Sequence, residues 1–247
     1  SGELSTHKAG QSIVATGKNK GLMLGEYINR FGRGILGWKC DPYERFPLLI
    51  KFIDSRESLS IQVHPGDDYA LQKEDEYGKN ELWYVVDCEP ESYLYCGFSR
   101  DTDEAEVRRR IEDGTLTEIL NKIPVKKGDS YFIENGTVHA IGPGVLICEI
   151  QQNSNSTYRV YDYDRVDKEG KKRPLHVDKA LEVMNFEPYE QGAFGLLEPQ
   201  EKDGNVVQQL SLCKYFQCEK YRIREKQTLY VDEASFVSLV ILAGNGI

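Results

Sequence analysis

A mainly β fold is predicted by three features of this 247-residue chain. Its apolar runs are short and rich in Val, Ile and Tyr, they alternate apolar with polar residues, and Gly, Asn, Asp or Pro break them at brief intervals. A hydrophobic content of 40% over this length is enough to bury one large domain or two modest ones. PLLIKFID (47–54) and LSIQVHP (59–65) read as consecutive strands. In the second, Leu59, Ile61 and Val63 fall on one face and Ser60, Gln62 and His64 on the other, so one side is apolar and the other is able to bind.

NELWYVVDC (80–88) and SYLYCGF (92–98) supply two more strands across an acidic turn. Residues 101–122 then break the pattern: Val107, Ile111, Leu116, Ile119 and Leu120 recur at helical spacing, with Thr102 and Thr115 as caps and Gly114 between two short helices. The β signal resumes in DSYFIE (129–134), GVLICEIQQ (144–152) and STYRVYDYD (156–164). A charged loop and a short helix starting near Asp178 form a connector, after which VVQQLSLCKYFQCEKYRI, QTLYVD and SFVSLVILAG read as strands of a second β unit. The expected division is a large first β unit over 1–165, a connector over 166–204 and a partial second β unit over 205–247.

The longest apolar run, VSLVILAG, falls well short of the roughly 20 residues that span a bilayer, so no membrane partner is expected. The N-terminal SGELSTHKAG lacks the basic and apolar order of a secretory signal. Six cysteines with no CxxC pair read as reduced thiols, which points to the cytoplasm. A net charge of −9 argues against a nucleic-acid partner and requires a local basic pocket for any phosphorylated ligand.

Side chains two apart on a strand point the same way, so Gln62 and His64 can share a metal, and Glu81 and His139 can complete the set. The most specific spacing is Gly128, five residues, Glu134, one residue, Gly136, two residues, His139. It resembles the second motif of the cupin superfamily, with Glu134 where a proline is common, and implies a jelly-roll β-barrel that holds its metal inside. Lys79 lies two residues before Glu81, on the same face, where a nearby cation favours the neutral amine of a base.

The chain also resembles the short bacterial form of the type I mannose-6-phosphate isomerases. The resemblance runs through ELSTH (3–7), LLIKFID (48–54), SIQVHP (60–65), GKNELWYV (78–85), GTVHAIG (136–142), EIQQNSNSTYRVYDYDR (149–165) and LHVDKAL (175–181). It implies one Zn²⁺ per chain, held by Gln62, His64, Glu81 and His139, and the interconversion of mannose 6-phosphate and fructose 6-phosphate through a cis-enediol. Glu149 becomes the competing base to Lys79, and Arg159 the group that holds an oxyanion or enediolate; Ser60, on the ligand face, and Arg165 or the 171–173 KKR run are open as partners of the sugar phosphate. Where longer relatives read HKPE this chain reads GKNE, so a role of that histidine is absent at Gly78. Relatives begin further upstream and finish a second barrel, which implies a trimmed chain lacking some edge strands. Two other readings fit the same ligands: an Fe(II)-dependent cupin oxygenase, against which Gln62 argues by filling an open position, and a non-catalytic sugar-binding or regulatory cupin.

Overall fold

The structure, a computed structural model, describes residues 2–190 and 195–245. The chain forms two compact units, Ser1–Lys51 with Gly195–Ile247, and Phe52–Phe194. In the first unit, strand β1 (Gly2–Leu4) pairs antiparallel with the start of β2 (Leu48–Ser55), Gly2 opposite Lys51 and Leu4 opposite Ile50. Helix α1 (Leu24–Phe31) begins where the Glu26 carboxylate accepts the Met23 N–H at 2.9 Å. It buries Ile28 against Leu36, Cys40 and Phe46, with Leu4, Leu48 and Phe236 at the margin. Burial of side chains this size contributes roughly 1.5–3 kcal/mol each.

The second unit carries most of the β structure. Its strands are the end of β2, β3 (Ile61–Val63), β4 (Glu81–Cys88), β5 (Tyr93–Phe98), β6 (Leu120–Pro124), β7 (Ser130–Ile133), β8 (His139–Ile141), β9 (Val145–Gln152) and β10 (Tyr158–Tyr161). Helix α2 (Asp67–Lys73) follows β3, α3 (Glu104–Glu112) follows β5, and α4 (Val177–Val183) follows β10. One sheet runs β2-β9-β4-β7 and the other β10-β3-β8-β5-β6, with antiparallel neighbours.

These sheets sandwich an apolar layer: Trp83, Val85, Tyr131, Ile133 and Ile147 from the first meet Leu94, Cys96 and Ile141 from the second. On the outer face of the second sheet, Ile61, Val63, Ala140, Tyr158 and Val160 pack under Val107 and Ile111 of α3 and Ala180 and Leu181 of α4. The predicted alternation of β3 is therefore present, but its apolar side faces helices. The fold class is mainly β, as expected, yet the described strands form two separate sheets and close no hydrogen-bonded barrel. Strand β3 is only three residues long and runs into Pro65, which has no N–H to extend a ladder around the corner.

Other local expectations need correction. Helix α3 is capped by Asp103, whose carboxylate accepts the Glu106 N–H at 2.8 Å, while the Thr102 hydroxyl donates to the Glu106 carboxylate at 2.9 Å. The charged oxygen one residue later is the better acceptor at a helix N-terminus. Beyond Gly114, at φ +69°, the second predicted helix is a single 3₁₀ turn, Leu116–Ile119, that begins after Thr115. Helix α2 was not predicted; Asp67 and Asp68 in its first turn are its main signal.

The remainder of the first unit is a three-stranded sheet, β11 (Gln200–Lys202), β12 (Asn205–Leu212) and β13 (Gln217–Arg222), in that order. QTLYVD and SFVSLVILAG, both predicted as strands, are irregular; Tyr230 is 92% and Ile241 77% exposed. Apolar alternation specifies a strand only where a neighbour accepts its ladder, and among the described residues no strand pairs with these segments, although the Phe236 N–H donates to the Leu36 carbonyl at 3.0 Å.

Candidate metal centre

The site lies within the second unit. In the β10-β3-β8 ladder Gln62 stands opposite His139 on one side and Arg159 on the other, so all three share a face. In the β4-β9 ladder Glu81 stands opposite Gln151 and Trp83 opposite Glu149. His64 follows β3 and Lys79 precedes β4 by two residues. His139 reaches its place through a tight turn: Gly136, at φ +83°, donates its N–H to the His64 carbonyl at 2.8 Å, and a Cβ there would lie 2.9 Å from the Val183 carbonyl oxygen.

The segment bearing Lys79 and Glu81 is pinned from behind by a buried polar network. Asn80 donates its backbone and side-chain N–H groups to Gln152 Oε1 at 3.0 and 2.7 Å, and its Oδ1 accepts the Asn135 N–H at 2.9 Å. Asp67 Oδ1 accepts from Gln152 Nε2 at 3.0 Å and from the Gly78 N–H at 2.8 Å. A Cβ on Gly78 would collide with the backbone of Gly66 and Asp67, so α2 occupies the room that a larger residue would need.

His64, Glu81 and His139 converge, one ligand atom of each lying within 4.8 Å of the others, and all are buried. His139 Nδ1 lies 2.7 Å from the Thr137 carbonyl, which can only accept, so the ring proton is on Nδ1 and the Nε2 lone pair faces the cluster with no hydrogen-bond partner. His64 Nε2 accepts from Lys79 Nζ at 3.2 Å and lies 3.4 Å from Glu81 Oε1. Lys79 Nζ pairs with Glu81 Oε1 at 2.7 Å, close enough for an ion pair though outside directed hydrogen-bond geometry. The ammonium thus acts as a cation held against two of the ligand atoms. Two lone-pair imidazoles, a carboxylate and a nearby amide are a donor set that suits zinc.

Electrostatics follow from burial. Desolvation, reinforced by the Lys79 charge, pulls the His64 pKa down to about 3, and desolvation also lowers that of His139. Both rings are neutral, as metal ligands must be. Burial opposes the charge of Lys79, but Glu81 and Glu149 outweigh it and raise the Lys79 pKa. Burial likewise opposes ionisation of Glu81, and Lys79 with the two histidines holds it well below the carboxylate range. Without a second cation, then, Lys79 is not the neutral amine that the sequence suggested; it is a buried ammonium.

Arg159 is half-buried, donates from Nη1 to the Pro174 carbonyl at 2.9 Å and leaves Nε without a partner. It does not pair with Asp162 or Asp164. Asp162 is taken by Arg165 and Arg173, and Asp164 by Lys172 at 2.6 Å. Ser60 is buried immediately before β3. Sequence reasoning missed Trp83, whose indole Nε1–H donates to Glu81 Oε2 at 3.0 Å and Glu149 Oε2 at 3.1 Å. Period-two spacing from Glu81 was the signal that places it on the same face.

The family model "phosphomannose isomerase type I, catalytic domain" matches residues 3–92. The mannose-6-phosphate isomerase ManA of Bacillus subtilis is 37% identical over 98% of this chain and 75% of its own length. The chain belongs to the type I mannose-6-phosphate isomerase family. A mannose-6-phosphate isomerase of Streptococcus mutans is 42% identical over 74% of the chain and 57% of its own length. The crystal structure of the Bacillus subtilis mannose 6-phosphate isomerase superposes with a TM-score of 0.80 at 37% identity, covering 90% of this chain and 69% of that one. Family membership accounts for the sandwich of antiparallel sheets, and no helix among the described residues is long and apolar enough to cross a membrane.

Proposed function

We propose that this chain interconverts mannose 6-phosphate and fructose 6-phosphate, with one zinc ion held by Gln62, His64, Glu81 and His139. The observation that carries the reading is the lone pair of His139, fixed by Thr137 and facing His64 and Glu81 in a buried cluster. Gln62 supports the fourth position because it is the cross-strand neighbour of His139. When bound, the ion supplies Lewis acidity that polarises the sugar carbonyl.

An aldose to ketose exchange moves a proton from C2 to C1 through a cis-enediol, so the protein must hold an acceptor and stabilise charge on O1 and O2. Glu149, with Oε2 on the Trp83 N–H, is the acceptor that the charge states favour. The raised pKa of Lys79 suits it to hold negative charge as an ammonium. Arg159, its Nε unpaired, presents a planar donor beside Gln62 for the enediolate. Arg159, Arg165 and Arg173 around the single Asp162 make a local positive surplus in a chain of net charge −9, which supports a phosphorylated substrate; Ser60 is the nearby hydroxyl donor. Six free thiols support a reducing compartment such as the cytoplasm.

The test is fructose 6-phosphate production from mannose 6-phosphate in a coupled assay. The zinc-loaded chain is expected to turn over, and chelation to abolish turnover. No metal-dependent product would reject the isomerase reading, and oxygen uptake with iron bound would favour the oxygenase.

A further inference from the structure

Trp83 is a neutral group that touches both buried acids of the centre. Its indole N–H carries a single proton and has no acceptor capacity, yet carboxylates from two different strands, Glu81 of β4 and Glu149 of β9, share it. The ring cannot shift to favour either. It is 1% exposed, wedged in the layer with Val85, Tyr131, Ile133 and Ile147, and its edge meets the His139 ring at 5.2 Å and 77°. Two carboxylates drawn to one point in a buried site repel, and the shared N–H dipole offsets that repulsion.

We infer that Trp83 is a positioning residue that couples metal binding to proton transfer, its N–H fixing the ligand carboxylate of Glu81 and the acceptor carboxylate of Glu149 from one point. The inference rests on the isomerase reading for the role of Glu149, but the bridge itself does not depend on it. Glu81 Oε2 is held on the indole while Oε1 meets Lys79 and His64, so the carboxylate plane is set before any ion arrives. Glu149 stands directly opposite Trp83 in the β4-β9 ladder, so the same strand register that aligns the sheet aligns the acid. Outer partners of metal ligands are typically worth about 10–100-fold in affinity or activity.

The test uses Trp83→Phe, which keeps the apolar body and deletes the donor, beside Val85→Ala, which trims the same core layer without touching either acid. Zinc affinity by calorimetry is expected to fall about 10-fold in W83F, and kcat to fall about 10–100-fold with KM changed much less. V85A is expected to melt earlier with zinc affinity and kcat unchanged. In an E149Q background the W83F loss of kcat is expected to shrink, since the two act as a unit. W83F that loses thermal stability while keeping zinc affinity and kcat would overturn the inference and leave a core tryptophan.

Should W83F fail to fold, the wild-type and E149Q proteins decide the matter by NMR. The Trp83 indole ¹H–¹⁵N resonance, assigned against a Trp38→Phe sample, is expected to move upfield in E149Q and to respond to zinc. An unmoved resonance would overturn the bridge. Intact zinc and indole responses without isomerase turnover would instead sink the proposed function and leave the bridge standing.

Discussion

Glu81 and Glu106 are both carboxylates paired with a basic side chain, and their surroundings make them different objects. Glu106, in the helical insertion, takes Arg100 at 2.6 Å, Arg110 at 2.9 Å and the Thr102 hydroxyl at 2.9 Å, and those hydrogen bonds hold it well below the usual carboxylate range. Glu81 takes Lys79, two histidines and an indole, with burial working against its charge throughout. At Glu106 water replaces any partner that leaves, so the network shapes a helix end and little else. At Glu81 no water stands ready to replace a lost partner, so fewer contacts carry more weight in the candidate metal centre. Pair geometry alone does not separate function from surface; solvent does.

The harshest way to break the contrast is His139→Ala. It removes the lone pair that has no other use, so metal retention measured by elemental analysis after gel filtration is expected to vanish, and turnover with it. A protein that kept stoichiometric zinc would show that the cluster is not the metal site. Next is Lys79→Met. It leaves the Glu81 charge buried without its nearest cation, and removing one member of such a pair costs about 3–5 kcal/mol. The metal-free variant is expected to lose that much in urea unfolding, to regain most of it on adding zinc, and still to turn over slowly. Normal turnover by this variant would remove Lys79 from the chemistry and leave Glu149 alone there.

How far the centre was legible follows the same divide. Period-two spacing placed Gln62 and His64, and Lys79 and Glu81, without any structure, because strand geometry is local. The fold class, and the turn before His139, were legible for the same reason. The charge on Lys79 was not, since it is a balance of burial against Glu81 and Glu149, and neither the burial nor the arrival of Glu149 from β9 is written in the local sequence. Nor was Trp83, an apolar residue in an apolar run until two acids are seen to converge on its N–H. The irregular course of QTLYVD and SFVSLVILAG shows the converse limit: alternation is present, and among the described residues no strand pairs with it.

Acid sharpens the comparison with a smaller effect. His64 titrates near pH 3 in the fold against an ordinary 6.5, and His139 is shifted the same way. Between those values the unfolded chain binds more protons than the folded one, so this contribution to stability is fully present above pH 6.5 and is lost as pH falls toward 3. Glu81, also depressed, adds to the loss below its own ordinary range, near 4.5. Urea midpoints of the metal-free protein are expected to fall from pH 7 to pH 4, with a shallower slope in His64→Gln. An equal slope in that variant would mean that the buried ring is not what acid attacks.

Arg110→Ala is expected to do least. It removes one of two guanidinium groups from Glu106, and the one that remains, with the Thr102 hydroxyl and water, still satisfies the carboxylate. Zinc affinity and kcat are expected to be unchanged, with a melting shift small beside that of K79M and smaller still in 1 M salt, where exposed pairs are screened. A loss comparable to that of K79M would mean that the insertion is as dry as the centre. The contrast between the two carboxylates would then rest on which partners they have, and no longer on whether water can reach them.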